Sequence, residues 1–131
     1  MKFLKGKFPD LYFTHNKSVG KDCTEGHLFP DIRYDCCLVS EENSYVPYFV
    51  IVEVDEHSHR RSSYECDKRR MVDIVAKLAA PCVFIRYNPD SADSDLEVLA
   101  RYVKKYTSLK SFPKEWEDMK LGCIKTKYLF Y

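Results

Sequence analysis

An apolar run that ends in acidic residues, YFVIVEVDE at 48–56, constrains the fold more than any other part of the sequence. Consecutive apolar residues without alternation are typical of a strand that is buried on both faces of a sheet. The run ends in Glu53 and Asp55, and His57 and His59 follow immediately. This stretch therefore predicts a central strand that delivers carboxylates and imidazoles to one edge of a sheet.

The size and composition of the chain predict one globular domain over 1–131. It has 131 residues, of which 45% are hydrophobic and 31% charged, and such a chain can bury a core of its own. The net charge is only +1, so a polyanion would have to be bound by a local basic patch. The candidate patches, each of which could instead be a solvated helix face, are Arg60-Arg61, Lys68-Arg69-Arg70 and Lys104-Lys105.

The cysteines and the first residues of the chain indicate the cellular compartment in which the protein is expected. The chain has six cysteines but no C-x-x-C spacing, and the first ten residues, MKFLKGKFPD, contain no long apolar segment of the signal-peptide kind. Reduced cysteines in an intracellular protein, nuclear or cytoplasmic, are therefore the expectation. No apolar run approaches the length of a membrane span, so no membrane association is expected.

The order of apolar and polar residues predicts alternating strands and helices. Strands are expected over 31–39 and 48–55, with a turn over 40–47 between them, and together they form a hairpin. The other predicted elements are a possible short strand at 9–15, helices over 62–80 and 94–109, and strands over 82–87 and 122–131. The apolar stripes of the two helices are Met71, Ile74, Val75 and Leu78, and Leu96, Leu99, Val103 and Tyr106. The fold class is α/β, with a mixed central sheet, an antiparallel hairpin and flanking helices.

Strand alternation brings acidic residues together at one end of this hairpin. Asp31 and Asp35 share one face of the first strand, and Glu53 and Asp55 share one face of the second. With the turn centred near Asn43, Asp31 lies within a residue or two of facing Asp55, with Glu53 beside it. Residues that face each other across two strands have Cβ atoms about 5 Å apart, so several carboxylates are expected to crowd together.

Crowded carboxylates repel one another unless a positive charge compensates them. A divalent cation is one solution, because Mg²⁺ binds a few carboxylate oxygens and keeps the rest of its shell for water or phosphate. The neighbouring His57 and His59 could then act on a metal-bound water. Solvated carboxylates paired with Arg33, Arg60 or Arg61 are the structural alternative.

Four short motifs in combination resemble a known family. They are FPDIRYD, VEVDEHSH, CDKRRM and FIRYNPD, and they span most of the chain. Pro-Asp at 30–31 and VEVDE at 52–56 resemble the PD-(D/E)-x-K nuclease superfamily. The position of His59, six residues after Glu53, is similar to that of the catalytic His in the very short patch repair nucleases, a branch with an E-D-x-H-D pattern. The four motifs in combination resemble still more closely a set of uncharacterised proteins of giant DNA viruses, algae and oomycetes. The sequence departs from the superfamily motif at Asp55, where Lys is usual, and from the viral and algal set at Phe29, where Arg usually precedes Pro-Asp.

The resemblance implies a restriction-endonuclease-like αβββαβ core and a metal-dependent DNA endonuclease. Asp31, Glu53 and Asp55 would bind Mg²⁺, for which Mn²⁺ would substitute. His59 would be the general base or contact the scissile phosphate, and Lys68 could replace the lysine missing from position 55. Because the chain is short, sequence specificity would be low, or a homodimer or a partner domain would supply it.

Further site residues follow from the same resemblance. Glu25 and Asp67 could be the first and last acids of the E-D-x-H-D pattern, and Asp35 and His57 are additional candidates. The basic residues expected to bind DNA are Arg60, Arg61, Arg69 and Arg70. For Arg70 and Arg86, pairing with phosphate and pairing with a carboxylate remain open. One alternative function is a nuclease-derived module that binds nucleic acid without cutting it. Another is a small metal-binding or interaction protein with no nucleic-acid role.

Overall fold

The fold is α/β, built on a five-stranded mixed sheet with flanking helices. The computed structural model describes residues 2–9, 13–15, 31–39, 45–54, 64–111 and 124–130. In chain order the elements are α1 (Lys2–Lys7), β1 (Phe13–His15), β2 (Ile32–Val39), β3 (Tyr45–Val54), α2 (Tyr64–Leu78), β4 (Cys82–Tyr87), α3 (Leu96–Thr107) and β5 (Ile124–Leu129).

The strands lie in the order in which they occur in the chain, β1-β2-β3-β4-β5. β1, β2 and β3 are antiparallel neighbours, and β3, β4 and β5 run parallel to one another. α2 connects β3 to β4, and α3 lies between β4 and β5, as parallel strands require a crossover of this length. The predicted hairpin is confirmed, with Ile32 opposite Val52 and Val39 opposite Tyr45.

Apolar residues cover both faces of the sheet, which explains why the central strands lack an alternating pattern. On one face α1 and α3 pack against residues that include Tyr34, Val50, Val52, Val83 and Ile85. On the other face α2 supplies Met71, Ile74 and Val75, which pack against Ile51, Cys82 and Phe84. Every residue of β4 is buried. The central strands β3 and β4 are therefore a rigid frame between two helical layers.

The predicted boundary between the turn and the second strand was wrong. The segment 40–47 was expected to be a turn, but Tyr45–Pro47 belongs to β3. Proline is accepted there because its lack of an amide hydrogen costs no hydrogen bond with β4. The Phe49 amide donates to the carbonyl of Pro81, and alternate residues of a strand point their amides to the same side, so position 47 also faces the β4 side. The pairing with β4 begins only at Phe49, so no strand partner lies opposite Pro47 on that side.

Helix ends and stripes also differ in detail. α2 ends at Leu78 rather than at residue 80, because Ala79 has a left-handed φ of 53°, a conformation that ends helices. In α3 the predicted stripe residue Leu96 is 45% exposed, and Ala100 is buried instead. The strand over 82–87 has the predicted bounds, whereas the short helix α1 was not predicted.

Replacing Tyr48 with Phe is expected to lower the free energy of unfolding by about 1–3 kcal/mol, the usual cost of leaving buried polar groups unsatisfied. The fully buried Tyr48 hydroxyl donates to the Tyr106 carbonyl at 2.7 Å and accepts from the Leu109 amide at 3.4 Å. That carbonyl lies in the last turn of α3, where helical partners are lacking. Urea unfolding measures the loss. Tyr45→Phe, at a residue that is 74% exposed, is the matched control, and equal effects of the two substitutions would contradict this role.

Candidate functional site

Two of the predicted acids lie opposite each other at one end of the hairpin. The pairing of Ile32 with Val52, continued by one residue, puts Asp31 across from Glu53. Asp31 precedes β2 directly, and its carboxylate accepts a hydrogen bond from the amide of Val54 at 2.7 Å. The two residues therefore lie at the adjoining ends of β2 and β3, and Asp31 is two residues from facing position 55, within the expected range.

Glu53 is a buried carboxylate on the face of the sheet that α2 covers. It is only 4% exposed, and it follows Phe49 and Ile51 on that face of β3. Arg70 of α2 donates a hydrogen bond from Nη1 to the Glu53 carboxylate and forms an ion pair with it. Arg70 reaches Glu53 because it lies one turn before Ile74 on the side of α2 that packs against the sheet.

A row of polar residues continues from Glu53 across the parallel strands. The register pairs Glu53 with Arg86 of β4, and Arg86 with Tyr128 of β5. Arg86 is 5% exposed. These residues lie near the carboxyl ends of β3, β4 and β5, the edge at which open α/β sheets generally bind ligands. Asp31, Glu53, Arg70 and Arg86, called the acid–arginine cluster below, thus occupy a position suited to binding.

The cluster changes the ionisation of Glu53. Burial is the largest effect and raises the pKa of Glu53 from an ordinary value of 4.5 to about 7. The charge and hydrogen bond of Arg70 lower the pKa, the negative charge of Asp31 raises it, and Arg86 lowers it again. Because the loss of hydration outweighs the two guanidinium groups, Glu53 changes its charge near neutral pH.

This pKa predicts how stability depends on pH. Between the unfolded pKa of 4.5 and the folded pKa of about 7, the folded protein binds more protons than the unfolded chain, so the free energy of unfolding falls as pH rises. Glu53→Gln removes this pH dependence. We therefore expect the variant to match the natural protein near pH 5 and to exceed it by up to about 3 kcal/mol at pH 8, from 1.36 kcal/mol per pKa unit. Urea unfolding of both proteins from pH 5 to 8 measures the difference, and a constant difference over that range would show that Glu53 titrates normally.

Two residues near the acids on β2 do not join the cluster. Asp35 accepts a hydrogen bond from Arg33 at 3.0 Å, and Arg33 also lies over the ring of Phe49, 5.3 Å from its centroid. Asp35 is four residues from Asp31, or about 13 Å along a strand. The structural alternative, a carboxylate paired with Arg33, therefore applies to Asp35.

Several predicted site residues lie outside the described residues. They are Glu25, Asp55, His57, His59, Arg60 and Arg61, together with the side chains of Asp67 and Lys68 in α2. Arg69 is exposed on α2. Within the described ranges, no group of three or more His, Cys, Asp or Glu side chains is placed to hold a metal ion. The metal donors that this part of the chain brings together are the carboxylates of Asp31 and Glu53.

The sequence left open which partner Arg70 would bind, and the structure assigns it a carboxylate, that of Glu53. A signal was present, because Arg70 occupies the start of an otherwise apolar stripe that continues through Met71 and Ile74. A charged residue at such a position has to find a buried partner. That the partner is Glu53 depends on how α2 crosses the sheet, which the stripe does not specify.

A separate cleft of about 420 Å³ lies between α1 and α3, on the opposite face of the sheet from α2. It is lined by Lys7, Phe8, Glu97, Ala100, Arg101 and Lys104. Lys7 and Glu97 form an ion pair across it at 3.0 Å. Its lining includes none of the acid–arginine cluster.

The fold and this cluster define an α/β protein with a buried acid at the carboxyl edge of its parallel strands. Comparison of the chain with protein-family models, with curated proteins and with solved structures found no match. No helix among the described residues is long and apolar enough to cross a membrane.

Proposed function

We propose that this chain is a metal-dependent DNA endonuclease, which hydrolyses phosphodiester bonds. The observation that carries the proposal is the placement of Asp31 opposite Glu53 at one end of the hairpin. Both acids were expected to bind the metal. In the sequence, His59, which the resemblance implies is the general base, lies six residues after Glu53.

The order of elements supports a restriction-endonuclease-like core. From α1 to β4 the described elements follow the sequence α, β, β, β, α, β. Three antiparallel strands are followed by a helical crossover to a parallel strand. The acids lie at the end of the hairpin just before the crossover, which supports a site at this position.

Asp31 and Glu53 fit a hard divalent cation, because carboxylate oxygens at the end of a rigid strand pair are donors that Mg²⁺ and Mn²⁺ accept. Asp55 would complete the set. A bound ion would supply Lewis-acid stabilisation of the phosphate and a more acidic water. The chain's own residues have other tasks: β3 and β4 hold Glu53 rigidly, the Val54 amide orients Asp31, and Arg70 neutralises Glu53.

DNA would be bound by local basic residues rather than by the net charge of the chain. Arg60 and Arg61 precede α2 in the sequence, and Arg69 is exposed on that helix. Phosphate contacts of this kind weaken as salt concentration rises. Binding of a duplex should therefore fall steeply between low and physiological salt.

A module that binds DNA without cutting it is the second candidate. Two observations favour it: Asp55 stands where the superfamily motif has lysine, and Arg70 already occupies the Glu53 carboxylate. Such a module would bind DNA with the same salt dependence but would leave it intact.

A plasmid nicking assay separates the two functions. Purified protein is incubated with supercoiled DNA in Mg²⁺, in Mn²⁺ and in chelator, with the Glu53→Gln variant in parallel. The proposed nuclease nicks DNA only with a metal and only when Glu53 is present. Slower migration of the DNA on a gel, with no nicking under any of these conditions, would identify the binding module.

The histidine after the strand is expected to carry catalysis. His59→Ala should lower the cleavage rate by about 10²–10⁴-fold, the usual contribution of a general base, whereas His57→Ala should have a small effect. His59 alone lies at the family's distance from Glu53 in the sequence. Single-turnover nicking rates of the two variants decide between them. A damaging His57→Ala with a harmless His59→Ala would show that the motif is aligned incorrectly.

A further inference from the structure

We propose that Arg70 is a positioning residue that binds Glu53 in the metal-free protein and is exchanged for the divalent ion when that ion binds. This inference rests on the proposed function. It adds that the Arg70 guanidinium competes with the metal ion for the Glu53 carboxylate. The observation behind it is that the carboxylate expected to bind the ion is already bound by a guanidinium.

The charges of the acid–arginine cluster explain why an exchange is needed. Asp31 and Glu53 supply two negative charges, and Arg70 and Arg86 supply two positive charges. The ionised cluster is therefore balanced without a metal. Adding a divalent cation beside two guanidinium groups would leave an excess of positive charge in a partly buried site, where repulsion is strong. Moving one guanidinium away reduces that repulsion and frees carboxylate oxygens for the ion.

The difference in burial shows which group can move. The Glu53 side chain is 5% exposed, whereas that of Arg70 is 34% exposed. Glu53 also lies in a central strand, between β2 and β4. Arg70 projects from a helix, and its long side chain can turn its charged end toward water at little cost.

Arg86 is the less mobile of the two arginines. It is 5% exposed and belongs to β4, a strand in which every residue is buried. To leave the cluster, its guanidinium would have to pass closely packed side chains before it reached water. Arg70 is therefore the arginine that the ion displaces, and Arg86 stays beside Glu53 in both states.

The test measures the chemical reactivity of Arg70 in the whole protein. Phenylglyoxal modifies accessible guanidinium groups, and peptide mass spectrometry gives the modification rate of each arginine. With Mn²⁺ alone as the probe, at pH 8, the rate at Arg70 should rise several-fold over that in chelator. Arg101, exposed on α3, is an internal control whose rate should not change.

Two variants make the result specific. In Glu53→Gln, Arg70 should react fast without Mn²⁺ and show no further increase, because its partner has lost its charge. In Asp35→Asn, whose carboxylate pairs with Arg33, the behaviour should match that of the natural protein. Circular dichroism melts confirm that both variants are folded.

The possible outcomes separate this inference from the proposed function. Nicking and Mn²⁺ binding with an unchanged or slower reaction at Arg70 would overturn the exchange and leave the nuclease standing. An absence of Mn²⁺ binding and of nicking would overturn both. A metal-dependent rise at Arg70 that disappears in Glu53→Gln establishes the exchange.

Discussion

Replacing Glu53 with Gln, or Asp31 with Asn, is expected to lower the rate of metal-dependent DNA cleavage by more than about 100-fold. Even residues that only support metal ligands typically contribute about 10–100-fold to affinity or activity, and these two are expected to contact the ion directly. Both substitutions keep the shape of the side chain. The amide oxygen of Asn can still accept the hydrogen bond that the Val54 amide gives to Asp31.

The same variants should be at least as stable as the natural protein in chelator at pH 8. A neutral side chain at position 53 removes the cost of an ionised buried carboxylate, and Arg70 remains one-third exposed to water. Asp35→Asn is the matched control, since Asp35 lies on β2, four residues after Asp31, but outside the acid–arginine cluster. Rates of nicking and thermal melts are measured together. A large loss of melting temperature with cleavage intact would show that Asp31 and Glu53 serve the scaffold.

Replacing Arg70 with Gln is expected to lower the free energy of unfolding by about 2–3 kcal/mol at pH 8. Removing one partner of a buried ion pair costs about 3–5 kcal/mol when the remaining charge must stay ionised. Glu53 can escape part of this cost by taking up a proton, because its pKa is already about 7 and the lowering effect of Arg70 would be lost. The loss should therefore shrink near pH 5.5, where Glu53 is protonated with or without Arg70.

Arg70→Gln and Glu53→Gln thus have opposite expected effects, although they break the same ion pair. The asymmetry arises because Glu53 is buried and Arg70 is partly solvated. Lys77→Gln, at an exposed lysine in the last turn of the same helix, is the control and should change stability by less than about 0.5 kcal/mol. Denaturant unfolding at pH 5.5 and pH 8 gives all values. Equal losses for the two partners would mean that the pair acts as an ordinary surface salt bridge.

Much of the fold could be predicted from the sequence because local patterns carry it. The uninterrupted apolar run at 48–52 and the segment 82–87 predicted buried strands, and each is a central strand with helices on both faces. The stripe that begins at Met71 predicted the helix between them. Strand alternation was also sufficient to bring Asp31 and Glu53 to the same end of the hairpin, since its period of two depends only on backbone geometry.

Some features were decided only by packing at a distance. The stripe could not predict that Leu96 would be exposed and Ala100 buried, because the contact between α3 and the sheet selects the buried side. The segment 40–47 was expected to be a turn, but Pro47 lies in a strand, because β4 begins too late to need its amide. In both cases the deciding neighbour is far away in the sequence.

The acid–arginine cluster shows this division most clearly. That Asp31 and Glu53 meet follows from the local pattern, since both lie on the two strands of one hairpin. That Arg70, 17 residues after Glu53, neutralises it depends on tertiary packing. The crossing of α2 over β3 brings the two side chains together, and Arg86 joins them through the register of two parallel strands. Contacts of this kind depend on how whole elements pack, because no local period links a helix residue to the strand residue beneath it.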